Sequence, residues 1–552
     1  MKNQLILALF FCSTSVLGQT TFDRVKVIFD NNCTTGCHSG ANPDAQLNLS
    51  GSVEEVYNEI VNVTPLNPAA VMAEMKLVDP GYPERSFLFA KIAGDIDPID
   101  HLIPAMGGLM PQNQSQLAYE EIELVRQWIL YGTDTVSDYV NPQLLTDYYN
   151  GPTGMARMEP LTPPDPSEGF QIHYGPFFLN PLEEVEYFYK FDTRLTEAAE
   201  VDRVNIVINE FSHHTALYRY YPEADTNFVP GLRPVNSIVD AAGVYYSSDI
   251  IGQWPNSQDL VLPEGTAFFW HENAVVDLNY HLPNYSTDSI LAGEFYMNVY
   301  TNPSGTAQQE MKSFPVYYGG SDPSALVLPP GISDSIYTID QHETDTAYTW
   351  YVWSMMAHTH QFGQDYQVWL RNPDGTKGDN VYNGHYDASY SFDQGFYDWE
   401  HPPFRTFDDE LLEVDFSNGL IHEATFSNPT NETVWFGLST TDEMYVTYLQ
   451  YVEEPILGIN DREGVALNPL KVYPNPTNDA INLAFDMNSA EGYEVIVLNE
   501  LGQKVYSQTY SSTVGRQRIG LSKADLELVS GLYLMQVNSS DKTFSAKVLV
   551  TK

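Results

Sequence analysis

The spacing of apolar residues changes along the chain and divides it into one helical region and several β regions. In the first region apolar residues recur every three or four positions, which is typical of amphipathic helices. This pattern opens with Phe22, Val25, Ile28 and Phe29 and closes with Ile122, Val125 and Ile129 before Gly132. A glycine after the last periodic residue commonly ends a helix. The sequence therefore predicts a small α-helical domain over residues 20–137.

From about Phe170 to Val452 the chain consists of short runs in which apolar and polar residues alternate. Residues 204–208 and 445–449 are examples, and turns rich in Pro, Gly and Asn separate such runs. Alternation of this kind indicates strands that bury one face, and frequent turn signals are typical of sandwiches. The region is long enough for two domains, so we predict β-sandwiches over 170–315 and 316–452.

Two segments of different composition flank the sandwiches, and a further β region follows them. Residues 138–169 are rich in Pro, Tyr and Asn and are predicted to be a linker, and a second linker is predicted over 453–466. Residues 467–552 alternate again and are predicted to form an independent β-sandwich. The predicted fold class is therefore multidomain and mainly β, with one small α-helical domain.

The charge of the chain excludes several kinds of partner. Its 552 residues include 26 Lys and Arg against 73 Asp and Glu, which gives a net charge of −47. Nucleic-acid binding needs stripes of basic residues, and an anionic membrane surface would repel this chain. Residues 467–552 carry eight basic and eight acidic side chains, so the whole negative charge lies on residues 1–466. This step in charge marks the last region as an independent module.

The first 18 residues have the organisation of a secretory signal peptide. Lys2 is followed by a short apolar run over 5–11 and by small residues around Gly18. The alternative, a membrane anchor, is disfavoured because so short a run cannot cross a bilayer. No other apolar run approaches the length of a spanning helix, so we expect no transmembrane segment in the mature protein. Removal of residues 1–18 also removes Cys12 and leaves Cys33 and Cys37, too few for a disulfide framework.

Cys33, Cys37 and His38 form a candidate site for covalent haem attachment. Two thiols can each add to a haem vinyl group, and the histidine that follows can bind the iron. Met110, which precedes a proline and the last predicted helix, is well placed as the second axial ligand, and Met106 is the alternative. A local disulfide between the two cysteines is the competing interpretation. The region resembles small bacterial cytochrome c domains, although three residues separate the cysteines where that family has two.

The predicted sandwiches contain a set of residues that can hold a soft metal. It comprises His213, His214, His281, His358, His360 and Met444. His358 and His360 lie two positions apart and can share one face of a strand, whereas the adjacent pair needs a bulge or a strand end to converge. Imidazole combined with thioether favours copper that cycles through its reduced state, rather than magnesium, calcium or structural zinc.

The order of these residues resembles the copper type II ascorbate-dependent monooxygenases, which include peptidylglycine α-hydroxylating and dopamine β-monooxygenases. The motifs that carry the resemblance are residues 211–215, 278–281, 357–360 and 439–444. The resemblance implies two copper-binding sandwiches and two copper ions. One copper would be held by His213, His214 and His281 and would store electrons. The other would be held by His358, His360 and Met444 and would activate oxygen, with Tyr448 as a further matching residue of that catalytic site.

The chain also departs from this family in the region that binds substrate. The peptide-amidating members have an arginine that anchors the substrate carboxylate, and Met356 occupies that position here. Val446 stands where an asparagine is expected, and the disulfide cysteines of the family are absent. The sequence thus predicts retained metal sites and a different, apolar or neutral substrate. Five other histidines match no ligand motif and are predicted to be structural: His271, His342, His385, His401 and His422.

The last region resembles a type IX secretion sorting domain. The resemblance rests on residues 473–476, 501–503, 531–533 and 547–552. It implies that the type IX machinery carries the chain across the outer membrane, which places it outside the cell or on its surface. The alternative is an ordinary β-sandwich appendage.

Taken together, these features predict a secreted copper monooxygenase that hydroxylates a C–H bond of a small molecule with O2. Electrons would enter through the haem c from an external donor, and the linker over 138–169 would keep the haem at high effective concentration. A non-catalytic copper- and haem-binding protein for electron transfer at the cell surface is the main alternative. An acidic adhesive β-protein with incidental histidines is a third.

Overall fold

In the computed structural model the chain forms two compact units. The first ends at Pro455 and the second begins at Ile456. The described residues are 19–96, 102–228, 230–235, 244, 247–320, 322–343, 348–387, 392–393, 396–408, 410–455, 470–473, 477, 480–487, 492–499, 503–511, 515–523, 526, 528–539 and 543–551. The predicted signal peptide and most of the second predicted linker lie outside these residues. Within them, no helix combines the length and the apolar character needed to cross a membrane. The predicted mainly β, many-sheeted architecture is confirmed.

The first unit begins with a helical domain. Its helices are α1 (Thr21–Asn32), α2 (Val53–Ile60), α3 (Pro68–Met72), α4 (Phe87–Ile92), α5 (Tyr119–Leu130) and α6 (Pro142–Asn150). Short 3-10 turns lie at Asp44–Gln46, Pro83–Arg85, Gly94–Ile96 and Pro104–Met106. Thr20 begins α1 with a capping box, in which its hydroxyl accepts from the amide of Asp23. The periodic apolar residues form the core, where the Phe22 ring stacks on Trp128 with centroids 4.4 Å apart.

The segment over 138–169 is more ordered than its composition predicts. Asn141 caps α6, and Pro142 occupies the first position of the helix. A proline is tolerated there because the backbone amide at that position has no acceptor within the helix. Arg157 pairs with the buried Glu294 of the first sandwich and donates to the carbonyl of Ile96 in the helical domain at 3.0 Å. The segment is therefore fastened to both neighbours instead of serving as a free tether.

The first sandwich consists of a six-stranded and a five-stranded sheet. The first has the order β1-β10-β3-β8-β11 with β7 beside β3, and the second has the order β5-β2-β9-β4-β6. These strands are β1 (Gly169–Leu179), β2 (Glu184–Asp192), β3 (Ala199–Ile208), β4 (His214–Tyr220), β5 (Gly231–Pro234), β6 (Ser248–Trp254), β7 (Gln258–Val261), β8 (Thr266–Trp270), β9 (Val275–Pro283), β10 (Leu291–Pro303) and β11 (Gln309–Glu310). Their facing sides bury aromatic residues such as Tyr174, Tyr280 and Phe295.

The second sandwich packs a five-stranded sheet, β12-β24-β15-β20 with β21 beside β15, against a four-stranded sheet, β14-β22-β16-β17. Two short pairs, β13-β23 and β18-β19, accompany them. The strands are β12 (Lys312–Tyr317), β13 (Val327–Leu328), β14 (Ser335–Gln341), β15 (Thr349–Thr359), β16 (Gly363–Arg371), β17 (Lys377–Asn383), β18 (Tyr386–Asp387), β19 (Phe392–Asp393), β20 (Phe404–Thr406), β21 (Leu412–Asp415), β22 (Leu420–Phe426), β23 (Val434–Trp435) and β24 (Tyr445–Val452). A 3-10 turn lies at Pro323–Ala325. Because β12 pairs with β24, this sandwich starts shortly before the predicted boundary at 316.

The second unit is a β-sandwich with its own core. Its sheets have the orders β25-β26-β29 and β28-β27-β30-β31. The strands are β25 (Lys471–Tyr473), β26 (Ala480–Met487), β27 (Gly492–Leu498), β28 (Lys504–Ser511), β29 (Gly515–Ser522), β30 (Gly531–Asn538) and β31 (Thr543–Val550). Leu483, Val495 and Val537 are among its fully buried residues.

The helical domain is seated directly on the first sandwich. Gly81 and Gly231 bring two backbones together, because a Cβ added to Gly81 would lie 2.5 Å from the Gly231 nitrogen. The Tyr189 hydroxyl donates to the Gly81 carbonyl at 2.9 Å, and Arg194 pairs with Asp79 at 2.7 Å. The helical domain is therefore docked at a fixed place, and its position does not depend on a tether.

Replacing Gly81 with alanine should loosen this seam. We expect the free energy of unfolding to fall by roughly 2–5 kcal/mol, because overpacking costs about 1–3 kcal/mol and a left-handed non-glycine residue about 1–2 more. Gly305 is the matched control, since its φ of +91° is also positive but a Cβ there meets open space. Denaturant titration of both variants tests this. Equal losses in Gly81→Ala and Gly305→Ala would show that the seam is not tightly packed.

Candidate metal centre

Five histidines converge where the two sandwiches of the first unit meet. His213 lies just before β4, His214 is the first residue of β4, and His281 lies opposite it on β9. His358 lies near the end of β15, and His360 follows that strand. Because β4 begins at His214, the adjacent residues His213 and His214 need not point to opposite faces of a strand. Their side chains can therefore converge, as the predicted metal site requires.

The rings of the first sandwich lie next to those of the second. The centroid of the His213 ring is 4.8 Å from that of His358 and 5.5 Å from that of His360. The His214 and His358 centroids are 4.9 Å apart, and those of His281 and His360 are 6.3 Å apart. All five side chains are buried. The five histidines predicted to belong to two separate metal sites are therefore brought together in one cluster.

Four of the five rings are oriented by a polar group on one nitrogen. His214 Nε2 lies 2.9 Å from Asn279 Oδ1, and His281 Nε2 lies 2.6 Å from Glu184 Oε1. His213 Nδ1 faces the Glu400 carbonyl at 3.3 Å, and His358 Nδ1 lies 3.4 Å from the Gln253 amide. Such outer partners fix the orientation of metal-binding histidines.

Each of the five rings keeps a buried nitrogen for which the described residues provide no hydrogen-bond partner. These atoms include His213 Nε2, His214 Nδ1, His281 Nδ1 and His358 Nε2, and His360 has such nitrogens as well. Buried polar atoms without partners are costly and rare, so a cluster of them points to a missing ligand. Imidazole nitrogens are ligands that copper prefers, and the residues present therefore fit that metal.

The buried surroundings favour the neutral form of four of these histidines, His213, His214, His358 and His360, as metal binding requires. Burial lowers the pKa of His213, His214 and His358 well below the usual value, and the neighbouring histidines lower it further. Burial and His281 together lower the pKa of His360 to about 3. Neutral imidazoles present lone pairs to a metal without first losing a proton.

The closest set of ligand atoms crosses the boundary between the sandwiches. Nitrogens of His213, His214 and His358 all lie within 4.8 Å of one another. The family resemblance instead places His358 with His360 and Met444. Both groupings can be drawn within the same cluster, so the copper stoichiometry of histidine variants distinguishes them.

A buried carboxylate, Glu443, holds the segments that carry His360 and Met444. Its Oε1 accepts from the backbone amides of both residues, and its Oε2 accepts from the amide of Phe362 at 3.1 Å. Burial raises the pKa of Glu443 to about 8. Met444 itself is buried and belongs to the same apolar cluster as Ala216 and Tyr218 of β4, which follow His214. This carboxylate thus ties the backbone of Met444 to that of His360.

Glu184 joins the two sandwiches at the other edge of the cluster. It bonds to His281, and it also accepts from the Thr440 amide at 3.0 Å and the Thr440 hydroxyl at 2.8 Å. Although burial opposes its charge, the bonds from His281 and Thr440 lower the pKa of Glu184 to about 2. The carboxylate therefore remains ionised where it orients His281.

Tyr448, the remaining predicted catalytic residue, lies on the same sheet face as His358. The register pairs Met356 with Tyr448 and His358 with Val446 across β15 and β24. Met356, Val446 and Tyr448 form one buried cluster. The position of the family's carboxylate-binding arginine is thus packed in an apolar environment.

A cavity of about 590 Å³ opens beside His281. Glu184, Glu186 and Asp442 are among its polar lining residues, and Val235 and Phe436 are among its apolar ones. Its size is that of pockets that take small molecules. The carboxylates disfavour an anionic occupant.

The candidate haem site lies at the end of α1 in the helical domain. Cys33 caps this helix, the segment between Cys33 and Cys37 forms a turn, and both cysteines are free thiols. Gly36 lies in this turn and adopts a φ of +82°, which glycine adopts without strain. His38 Nδ1 is buried and has no hydrogen-bond partner among the described residues. The donors fit covalent haem attachment.

The surroundings of the two candidate axial methionines differ. Met110 packs against the same core cluster as Cys33. Met106 is buried in a separate cluster with Ala70, Met75 and Phe87. Burial also raises the pKa of the Cys33 thiol to about 11. Met110 thus packs against the core that Cys33 also contacts, whereas Met106 belongs to a different cluster.

Sequence patterns did not reveal several residues around these sites. Glu184, Asn279 and Gln253 contact rings of the candidate ligands, and Glu443 binds the backbone amide of His360; each contact joins segments that are distant in the chain. Only the placement of Asn279 and Glu443 inside the histidine and methionine motifs could have drawn attention to them. By contrast, His422 is buried with both nitrogens bonded, to Thr447 at 2.8 Å and Gln341 at 3.0 Å, as suits a structural residue.

The second unit is similar to a known family. Residues 471–551 match the secretion system C-terminal sorting domain. The predicted type IX sorting domain is confirmed, and the protein is therefore exported and is either secreted or attached to the cell surface. No curated protein sequence matches the chain.

Solved structures resemble the chain only distantly. A β-glucuronidase of Parabacteroides merdae is 11% identical, with a TM-score of 0.14 over 39% of this chain and 28% of that one. A β-glucuronidase of Ruminococcus gnavus is 8% identical, with a TM-score of 0.14 over 39% and 35%. A glycosyl hydrolase family 2 member of Bacteroides cellulosilyticus is 11% identical, with a TM-score of 0.14 over 37% and 28%. This chain thus spans about a third of their length, and scores this low carry no conclusion about fold or activity.

Deleting residues 456–552 should stop export without loss of copper or haem, because these residues form a separate compact unit. Fractionation of cells that express the truncated chain should find it in the periplasm. Normal appearance of the truncated chain in the medium or on the cell surface would contradict the role of the sorting domain.

Proposed function

We propose that this protein is a copper-dependent monooxygenase that hydroxylates a C–H bond of a small molecule with O2 and receives electrons through a covalently attached haem. The observation that carries the proposal is the cluster of five buried histidines, each with a nitrogen that lacks a hydrogen-bond partner within the described part of the chain. The motif order that resembles copper type II monooxygenases supports the same conclusion.

The residues of the chain would hold two copper ions and exclude water from them. His213, His214, His281, His358 and His360 supply nitrogens, and Met444 supplies a thioether. Bound copper would supply the one-electron chemistry by which one atom of dioxygen enters a C–H bond while the other, with two electrons and two protons, becomes water. Glu184 and Asn279 orient rings of the first sandwich, and Glu443 orients the segments of the second. Burial of all five rings limits the loss of reducing equivalents to solvent.

The cavity beside His281 supports catalysis over electron transfer alone. An oxygenase must admit a substrate, and the open cavity lined by His281 offers space for one at the edge of the histidine cluster. The cavity is of suitable size and adjoins the loop that leads to Met444. Its acidic and apolar lining favours a substrate without a free carboxylate.

Measurement of metals and of labelled oxygen tests the proposal. The purified mature protein should contain copper and covalent haem, and incubation with a reductant and ¹⁸O₂ should place one labelled oxygen atom in the product of a screened small molecule. Copper and haem without label in any product would favour the electron-transfer alternative. Absence of both metals would exclude both functions.

Peptides that end in glycine should be poor substrates. Amidation of such peptides requires a group that holds the terminal carboxylate, and the corresponding position is the buried Met356. The cavity beside the cluster is lined by carboxylates, which would repel that group. Steady-state assays with a glycine-extended peptide should show no saturable amidation. A Met356→Arg variant provides the comparison, and saturable amidation by the unmodified protein would contradict the prediction.

A further inference from the structure

Two tyrosine hydroxyls meet where the helical domain rests on the first sandwich. Tyr131 follows α5, and Tyr187 lies on β2. Their oxygens are 3.0 Å apart, and Tyr187 is only 9% exposed. On the helical side, Tyr131 packs against the core cluster that also contacts Cys33 and Met110. The pair therefore connects the core of the helical domain, against which Cys33 and Met110 also pack, to the sandwich that carries three of the histidines.

From Tyr187 an unbroken series of bonds leads to the histidine cluster. The residue that precedes Tyr187 is Glu186, whose Oε1 accepts from Asn279 Nδ2 at 2.8 Å. Asn279 Oδ1 lies 2.9 Å from His214 Nε2. The other nitrogen of this ring, Nδ1, is one of the buried atoms available to a metal. The series thus ends on the side of His214 opposite to the metal.

We propose that this series, entered through the Tyr131–Tyr187 hydrogen bond, is the route by which electrons pass from the haem to the copper bound by His214. Electron tunnelling weakens steeply across gaps and less across covalent and hydrogen bonds, so a bonded series couples the two sites better than van der Waals contacts do. This inference rests on the proposed function, and it adds the route that the electron takes and the residues that form this route.

The step balances as the transfer of one electron. Ferrous haem becomes ferric and cupric ion becomes cuprous, with no bond made or broken. A one-electron reductant from solution must restore the ferrous haem before the next transfer. Both tyrosines remain neutral phenols, since burial raises the pKa of each of them. They act as positioning residues that couple the two sites.

The seating of the helical domain makes such a fixed route possible. The contact between Gly81 and Gly231 and the Arg194–Asp79 ion pair hold the domain on the sandwich. Because no docking step is needed, the transfer should be independent of protein concentration and of solvent viscosity.

The route can be tested by injecting one electron into the haem of the full-length holoprotein with a photosensitiser and following haem reoxidation by absorbance. Tyr131→Phe and Tyr187→Phe each remove one hydroxyl and keep the ring, and each should slow reoxidation several-fold. The double variant should be no slower than the slower single variant, because all three remove the same bond. Tyr139→Phe is the matched control, since that ring stacks on Tyr131 but its hydroxyl bonds to Asp134.

The outcomes separate this inference from the proposed function. If reduced haem in the wild type is not reoxidised when oxidised copper is bound, electron entry through the haem is wrong and the proposed function fails in that part. If reoxidation occurs at the same rate in wild type and both phenylalanine variants, only the route is overturned. Haem content, copper content and haem potential should be unchanged in the variants. A slower rate that is accompanied by a shifted potential would also overturn the route.

Discussion

Replacing His358 with alanine should abolish the proposed hydroxylation and leave one copper ion bound where the wild type binds two. His358 is central in the cluster, with ring centroids 4.8 Å from His213, 4.9 Å from His214 and 5.2 Å from His360. Even outer partners of metal ligands typically contribute about 10–100-fold to metal affinity or activity, so removal of a ligand should cost more than roughly 100-fold.

His281→Ala distinguishes the two possible groupings of ligands. If each sandwich holds its own copper, His281→Ala should lose one ion and His358→Ala the other. If a copper is held by His213, His214 and His358 across the boundary, His281→Ala should retain that ion with an unchanged electron paramagnetic resonance spectrum. His271→Ala is the control, because His271 belongs to the same sandwich but lies outside the cluster of five rings. Full copper content and turnover in His358→Ala would exclude this residue as a ligand.

Replacing Glu443 with alanine should destabilise the first unit by roughly 3 kcal/mol or more. The substitution leaves the amides of His360, Phe362 and Met444 without their acceptor, and each buried unsatisfied donor costs about 1–3 kcal/mol. It also releases the segments that position His360 and Met444, so copper at the site they share should be lost as well.

Thermal unfolding with and without copper would measure both effects of Glu443→Ala. Glu413→Ala provides the control, because Glu413 is exposed on β21 and such substitutions usually change stability by less than about 0.5 kcal/mol. Glu443→Gln retains an acceptor oxygen and should lose less stability than the alanine variant. A Glu443→Ala protein as stable as Glu413→Ala would show that the carboxylate does not hold these segments.

Local sequence patterns predicted the helices and strands, but not the contacts between the domains. Helical spacing located α1 and α5, and alternation located the sandwiches, because each signal depends on neighbours in sequence. The prolines over 138–169 suggested a linker, yet Pro142 begins a helix because that position lacks a hydrogen bond in any case. The close contact of Gly81 with Gly231 joins residues far apart in the chain, and no local pattern announces it.

The sequence was sufficient to predict the candidate metal ligands, but not the acidic residues that hold those ligands in place. His213, His358 and the other candidate ligands stand in recognisable motifs, so their residue types alone suggested copper. Glu184 and Glu443 look like ordinary acidic residues in a chain of charge −47. Their roles depend on which strands meet across two sandwiches, and that information lies in the tertiary structure.

The seating of the helical domain on the first sandwich has a consequence for how fast the protein can work. In the proposed enzyme, the helical domain is already docked and would deliver electrons to the copper sites without a diffusional step. When the external electron donor is scarce, its collision with the protein would then limit the rate of turnover. With a charge of −47 on this chain, a positively charged donor would arrive fastest, and its advantage would shrink as salt is added.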